Sequence, residues 1–183
     1  MATDALAGLE LVARLIFLVS TLLMLFIRLT KMMHAKYLLL ATGVSTVSFF
    51  LFLVVAIVRD KGTPTLSIEF ARRILTDENL IYIAYGVAVF RQPKAIVLVL
   101  PQIITCVLGL GKLYRSHLSV FPRVFSTPTV VKVFKQLNTY DAEIHMVRAS
   151  LEAAVLFHLI LGLFVGGSTI ISLLLYTNFI RLK

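Results

Sequence analysis

Apolar runs separated by short polar breaks dominate this chain. Residues 15–27 are apolar apart from Ser20 and Thr21, which predicts a first helix over about 10–29. Residues 37–58 carry no charge and would make about 33 Å of helix, enough to cross a hydrocarbon core of about 30 Å. The middle of the chain reads Leu75-Thr76-Asp77-Glu78-Asn79, then an apolar run over 80–90, a break at Arg91-Gln92-Pro93-Lys94, and a second run over 95–111 containing Pro101. This predicts a helical hairpin with arms at about 66–90 and 95–114, its turn forced by Pro93. The first apolar run alone gives only about 17 Å of helix. It reaches across only by recruiting a lead-in on which Leu66, Phe70 and Ile74 share a face. A final helix is expected over about 151–180, because no charged residue lies between Glu152 and Arg181.

One polar stretch has a different period. Thr127-Pro128 is a helix start, with Thr as N-cap and Pro in the first turn. Beyond it Val130, Val133, Phe134, Leu137, Tyr140, Ile144 and Val147 fall on one arc, and Lys132, Lys135, Thr139 and Glu143 fall opposite. An amphipathic helix over about 128–148 is expected, lying on a membrane surface or packed on a partner subunit. The fold class is therefore all-α. It is a polytopic integral membrane protein forming a single membrane domain of three to five membrane helices, including the central hairpin, plus one amphipathic interfacial helix.

Composition agrees with that class. Hydrophobic residues make up 59% of the 183 and charged residues 15%, where a soluble domain carries about 25%. The formal charge is +9, with the cations at the ends of apolar runs. Arg28, Lys31, Lys36, Arg72, Arg73, Arg91, Lys94, Lys132 and Lys135 are thus expected to meet lipid headgroups, most favourably anionic ones, or a partner protein. Nucleic acid is not expected, since no basic-aromatic binding module is present. If both hairpin arms cross, the cations of 59–73 and 112–148 collect on one side; if the hairpin only dips, the bias nearly disappears. The positive-inside rule favours crossing. The amino terminus carries Asp4 and no basic residue before Arg14, so the first apolar stretch is expected to be a retained anchor.

Candidate chemistry is sparse. Glu10 and Arg14 are four apart and share a helix face. An intramembrane charge site and an interfacial pair with Arg14 snorkelling to the headgroups are the two readings, and the position in the first turns favours the second. Asp77 and Glu78 point about 100° apart on a helix, which suits a helix start or a salt bridge better than catalysis. Cys106 is a lone thiol in an apolar run. Gly162 and Gly166 form a GxxxG step that lets two helices approach closely. His34, His117, His145 and His158 are scattered over unlike elements. Phosphate-loop, dinucleotide, zinc-protease, C-x-x-C and nucleophile-elbow signatures are absent from the sequence. The expectation is a protein that is not an enzyme, with no cofactor and no metal.

The hairpin also carries a resemblance. Leu75-Thr76-Asp77-Glu78-Asn79, then Tyr82, Tyr85, Phe90, Pro93 and Pro101, resemble the middle of the transmembrane-protein-33 family, also called Krüppel homologue 2, which includes the yeast pore-membrane proteins. The last helix is similar too, with Glu152, Phe164, Gly166, Tyr176, Phe179 and Arg181 in order. The resemblance implies a non-catalytic structural or scaffold protein of the endoplasmic reticulum and nuclear envelope that shapes membranes. The partners it implies are reticulon-like proteins and nuclear pore components. Family members continue past the last helix into a cytosolic tail, with a membrane-binding amphipathic helix in the yeast proteins. Here Val130 to Val147 could supply such a helix internally. The alternative reading is an accessory subunit of a large assembly in the mitochondrial inner membrane, such as a respiratory complex or ATP synthase.

Overall fold

The computed structural model describes residues 2–30, 35–62, 67–75, 77–90 and 98–165, with 170, 173, 174, 176 and 177 beyond them. Among the described residues there is no strand. Among the described residues up to 165, seven helices follow in order: α1 (Ala2–Thr30), α2 (Ala35–Lys61), α3 (Ile68–Leu75), α4 (Glu78–Phe90), α5 (Leu100–Ser116), α6 (Pro128–Thr139) and α7 (Asp141–Val165). Two 3₁₀ turns, Leu118–Val120 and Arg123–Ser126, link α5 to α6. By length and composition α1, α2 and α7 can each cross a membrane. The chain is thus an all-α polytopic membrane protein.

α1 has its polarity reversed relative to a helix of a water-soluble protein. Glu10, Arg14, Ser20 and Thr21 are buried with Phe17 and Met24, while Leu9, Val12, Ile16, Leu22 and Phe26 are exposed, as is Val19 at 67%. Burying the polar row and exposing large apolar side chains is favourable only where the surrounding solvent is lipid. α1 and α2 form the tightest pair. Thr21 and Ser45 share a hydrogen bond of 2.6 Å across it. Phe17, Phe49 and Phe52 interlock with ring centroids 5.3–5.5 Å apart.

α4 packs on α2 through Gly86, where an added Cβ would come within 2.9 Å of the Phe49 ring and 3.0 Å of the Phe50 ring. α5 packs on α1, α6 and α7. Tyr85 donates to the Leu98 carbonyl at 2.7 Å, which ties α4 to the segment entering α5.

α1 begins at Ala2 rather than near Glu10, and boundaries differ from expectation in three further places, each for a local reason. The first hairpin arm is divided at Asp77, whose Oδ1 accepts from the Asn79 backbone N–H at 2.9 Å and its side-chain amide at 3.0 Å. That side chain caps α4, so α3 is a separate piece and α4 has 13 residues, about 20 Å. α5 begins at Leu100 rather than near 95, with Pro101 in its first turn, where a missing N–H breaks no helical bond. The stretch 128–148 is split at Tyr140: α6 ends at Thr139 and α7 starts at Asp141. Ile144 and Val147 therefore belong to the last long helix. The hairpin turn over 91–97 lies outside the described residues.

Gly86→Leu is expected to push α4 off the Phe49–Phe50 surface and cost about 1–3 kcal/mol. Gly43→Leu, at a position with nothing within 4 Å, is the control. Thermal unfolding of both purified variants in detergent checks this, and equal melting temperatures would refute the close approach.

Candidate functional site

The starts of α1, α4 and α7 and the ends of α2 and α5 meet at one end of the bundle. Lys61 Nζ, at the end of α2, stands 3.6 Å from Asp77 Oδ2, just before α4. Asp4 Oδ1 is 3.6 Å from His117 Nδ1, just past α5. Eight of the nine acidic residues fall on or beside these converging segments: Asp4, Glu10, Asp60, Asp77, Glu78, Asp141, Glu143 and Glu152; the ninth, Glu69, is on α3, between the end of α2 and the start of α4. Arg59, Lys61, Lys112, Arg115 and Arg148 fall there too, while Arg72 on α3 and Lys132 and Lys135 on α6 lie on the short helices that join these segments. The cations of 59–73 and 112–148 therefore share an end, as a hairpin with antiparallel arms requires.

At this end lies a buried ionic cluster centred on Glu10, which is 0% exposed. Arg14, one turn on, donates from Nε to Glu10 Oε1 at 2.8 Å, and its Nη2 is 2.7 Å from the same oxygen. Arg59 Nη1 donates to the other oxygen, Oε2, at 2.5 Å. Arg59 also reaches Asp60 Oδ1 from Nε at 2.8 Å. Arg14 Nη1 donates to the Cys106 carbonyl at 3.2 Å and approaches that of Thr105 at 3.5 Å. Its guanidinium carbon lies 4.3 Å from the centre of the Phe52 ring. Gly109 is what admits this group, since any Cβ there would occupy the guanidinium's space. Three elements, α1, α2 and α5, are thus joined through one carboxylate and two arginines.

The interfacial reading of Glu10 and Arg14 is corrected by this geometry. Arg14 is 3% exposed and points into the bundle. A guanidinium whose donors are taken up by a carboxylate and two carbonyls gains nothing by snorkelling. The third partner, Arg59, was not anticipated from sequence, being 49 residues away. The signal available was the helix face itself: Glu10, Arg14, Phe17 and Thr21 fall on one side of α1, opposite Val12, Ile16 and Val19.

A second buried network adjoins the first. Tyr82 of α4 donates to Glu152 Oε1 of α7, Arg148 Nε lies 3.8 Å from that oxygen, and the Arg148 guanidinium sits 5.2 Å from the Tyr82 ring centre. Tyr176 donates to the Glu152 carbonyl at 2.5 Å. Between the two networks is a cavity of about 80 Å³. Among the described residues no group of three or more His, Cys, Asp or Glu could hold a metal ion.

The residues singled out for headgroup or partner contact are dispersed. Arg72 on α3 and Lys132 and Lys135 on α6 are exposed at the acidic-residue end. Arg28, half-buried, and Lys36, exposed, lie at the opposite end, on the last turn of α1 and the first turn of α2. Lys31, Arg91 and Lys94 lie outside the described residues, as does Gly166; the side chain of Arg73 is also outside the description. Gly162 is half-buried in α7. Of the amphipathic row, Phe134 stacks on Tyr114 of α5 with centroids 4.1 Å apart. Leu137 lies over Gly111, 2.8 Å from where a Cβ would stand. Val130 and Ile144 are half-buried, and Val133, Tyr140 and Val147 are exposed. Part of the row is thus consumed within the chain's own bundle.

A bundle with apolar side chains outside and ionic clusters inside defines a polytopic helical membrane protein. The family model for transmembrane protein 33/nucleoporin POM33 matches residues 2–183, so the chain belongs to that family. Comparison with curated proteins and with solved structures gives no match. The family assignment lends no support to an accessory subunit of a mitochondrial assembly.

Replacing Glu10 by Ala leaves Arg14 and Arg59 facing each other without their shared carboxylate. The expected loss is about 3–5 kcal/mol. Asp60→Ala removes an exposed partner and is expected to cost under about 1 kcal/mol. Detergent-solubilised melting temperatures would order the two variants, and a Glu10→Ala protein as stable as Asp60→Ala would remove the cluster as a structural anchor.

Proposed function

We propose that this chain is a non-catalytic structural protein of the endoplasmic-reticulum and nuclear-pore membrane, holding one bilayer surface through α3 and α6. The carrying observation is the exposed face of these two short helices at the acidic-residue end of the bundle. On α6, Lys132 and Lys135 are exposed beside Val131 and Val133, the latter at 56%. On α3, Arg72 is exposed beside Leu75 and beside Ile68, which reaches 89%. Cations next to exposed apolar side chains on short helices suit the headgroup boundary, where each basic residue gains about 1 kcal/mol from an anionic surface.

The family description supports the compartment, since it includes a nucleoporin. Shallow helices on one face of a bundle anchored by long spans occupy area in one leaflet more than in the other. That asymmetry is the physical basis of the membrane-shaping reading. Reticulon-like proteins and nuclear pore components are the partner classes it fits, and the Gly162/Gly166 face of the last helix is the surface proposed for helix–helix contact.

A polarity-sensitive fluorophore at Val133→Cys, in the full chain reconstituted into vesicles with 30% phosphatidylserine, tests the surface grip. Its emission is expected to be blue-shifted, and to move back toward the aqueous value when Lys132→Glu and Lys135→Glu are added. Water-like emission from the unmodified background, whatever the lipid, would sink the proposal.

A further inference from the structure

One cation of the bundle has no acidic side chain within reach. Arg28 stands in the last turn of α1, half-buried, with its Nη1 buried and without a hydrogen-bond partner. Among the described residues it makes no hydrogen bond and no ion pair, and the free carbonyls at the end of its own helix are no exception. The sequence supplies no acid there either. Stretches 11–59, 79–140 and 153–183 contain no Asp or Glu. The end of the bundle where Arg28 lies is built from those stretches alone: the end of α1, the start of α2, the end of α4, the start of α5 and the end of α7. Lys31, Arg91 and Lys94, in the connecting stretches, carry the same sign as Arg28.

Depth identifies what can balance it. Glu10 and Arg28 are 18 residues apart on α1, about 27 Å of helix, against a hydrocarbon core of about 30 Å. With the Glu10 cluster at one boundary, Arg28 falls at the other, level with the phosphate groups of the opposite leaflet. α5 opens at this end too. Val99 packs against Met24, Ile27 and Ala41 and gives its helix no side-chain cap, so the free N–H groups of the first turn add positive potential there. Leu29 of α1 and Leu39 and Leu40 of α2, at the same end, are 65–76% exposed and give acyl chains a surface. A partly buried, unpaired guanidinium is costly at the edge of a bilayer. Beside a phosphate it makes two parallel charge-assisted hydrogen bonds instead, and the low dielectric then strengthens the pair.

We propose that Arg28 binds the phosphate group of a membrane lipid, in the leaflet opposite the one held by α3 and α6. The site lies at the other end of the bundle and does not rest on the surface role given to those helices.

The test uses the full chain in phosphate-free dodecylmaltoside, with the melting temperature followed at constant ionic strength. Lys132→Glu and Lys135→Glu in the background take α6 out of the response. One arm titrates dioctanoyl phosphatidylglycerol against dioctanoyl glycerol, which lacks the phosphate. The other titrates inorganic phosphate against chloride. A saturable rise in melting temperature is expected with phosphatidylglycerol alone.

Arg28→Met is expected to raise the half-effect concentration about tenfold or more, as the loss of a charge-assisted hydrogen bond requires. Arg28→Lys keeps the charge without the planar fork and should fall between the two. Arg123→Met removes an exposed cation from the link between α5 and α6, at the other end of the bundle, and should leave the response as it was. No saturable rise with phosphatidylglycerol would overturn the proposal. So would a rise that Arg123→Met weakens as much as Arg28→Met does, and so would an equal response to inorganic phosphate.

Discussion

Glu10 is the constraint on which the bundle depends. A carboxylate removed from water is tolerable only if both of its oxygens are taken up by charge-assisted donors. Arg14 and Arg59 do so from two helices, and Arg14 then extends to two carbonyls of α5. The geometry therefore fixes more than one pair. It sets the rotation of α1 about its own axis, the register of α2 against α1, and the distance of α5, which Gly109 allows to come in over the guanidinium. Hydrophobic burial alone would fix none of these in lipid, because lipid tails are as apolar as the leucines they touch.

The second network does the same for the other half of the molecule. Tyr82, Arg148 and Glu152 join α4 to α7, and Tyr176 closes on the backbone of Glu152. The aromatic residues of the hairpin thus do two jobs. Tyr82 supplies a hydroxyl to a buried acid, while Tyr85 secures the polypeptide on the far side of the hairpin by bonding to Leu98. Their short helix, α4, has too few residues to cross a bilayer unaided, and it is held by these side-chain bonds together with its packing on α2.

Hydropathy made the long helices legible, because a run of more than twenty uncharged residues has few alternatives in lipid. The Asp77 break was legible as chemistry, since an acidic residue beside Asn is a helix start, though its power to divide the first arm was not. The division at Tyr140 was hidden. The apolar arc from Val130 to Val147 continues in phase across it, so periodicity cannot show where one helix stops and the next begins. The pairing of Glu10 with Arg14 followed from spacing of four, whereas Arg59, Gly109 and the carbonyls of α5 enter only through tertiary contact. Leu137 and Phe134 illustrate the same limit: an amphipathic row announces that something will cover it, and here that cover is Tyr114 and Gly111 of the same chain.

The Glu10 cluster also has an order in time. Its carboxylate and both of its arginines lie on α1 and α2, within the first 59 residues made. The charge that is most expensive to leave bare in a bilayer is therefore neutralised as soon as the second helix enters. Later helices arrive to find the carboxylate already paired, and α5 needs only to present Gly109 and two carbonyls to Arg14. A protein assembled this way keeps its most hazardous residues exposed for the shortest part of its synthesis.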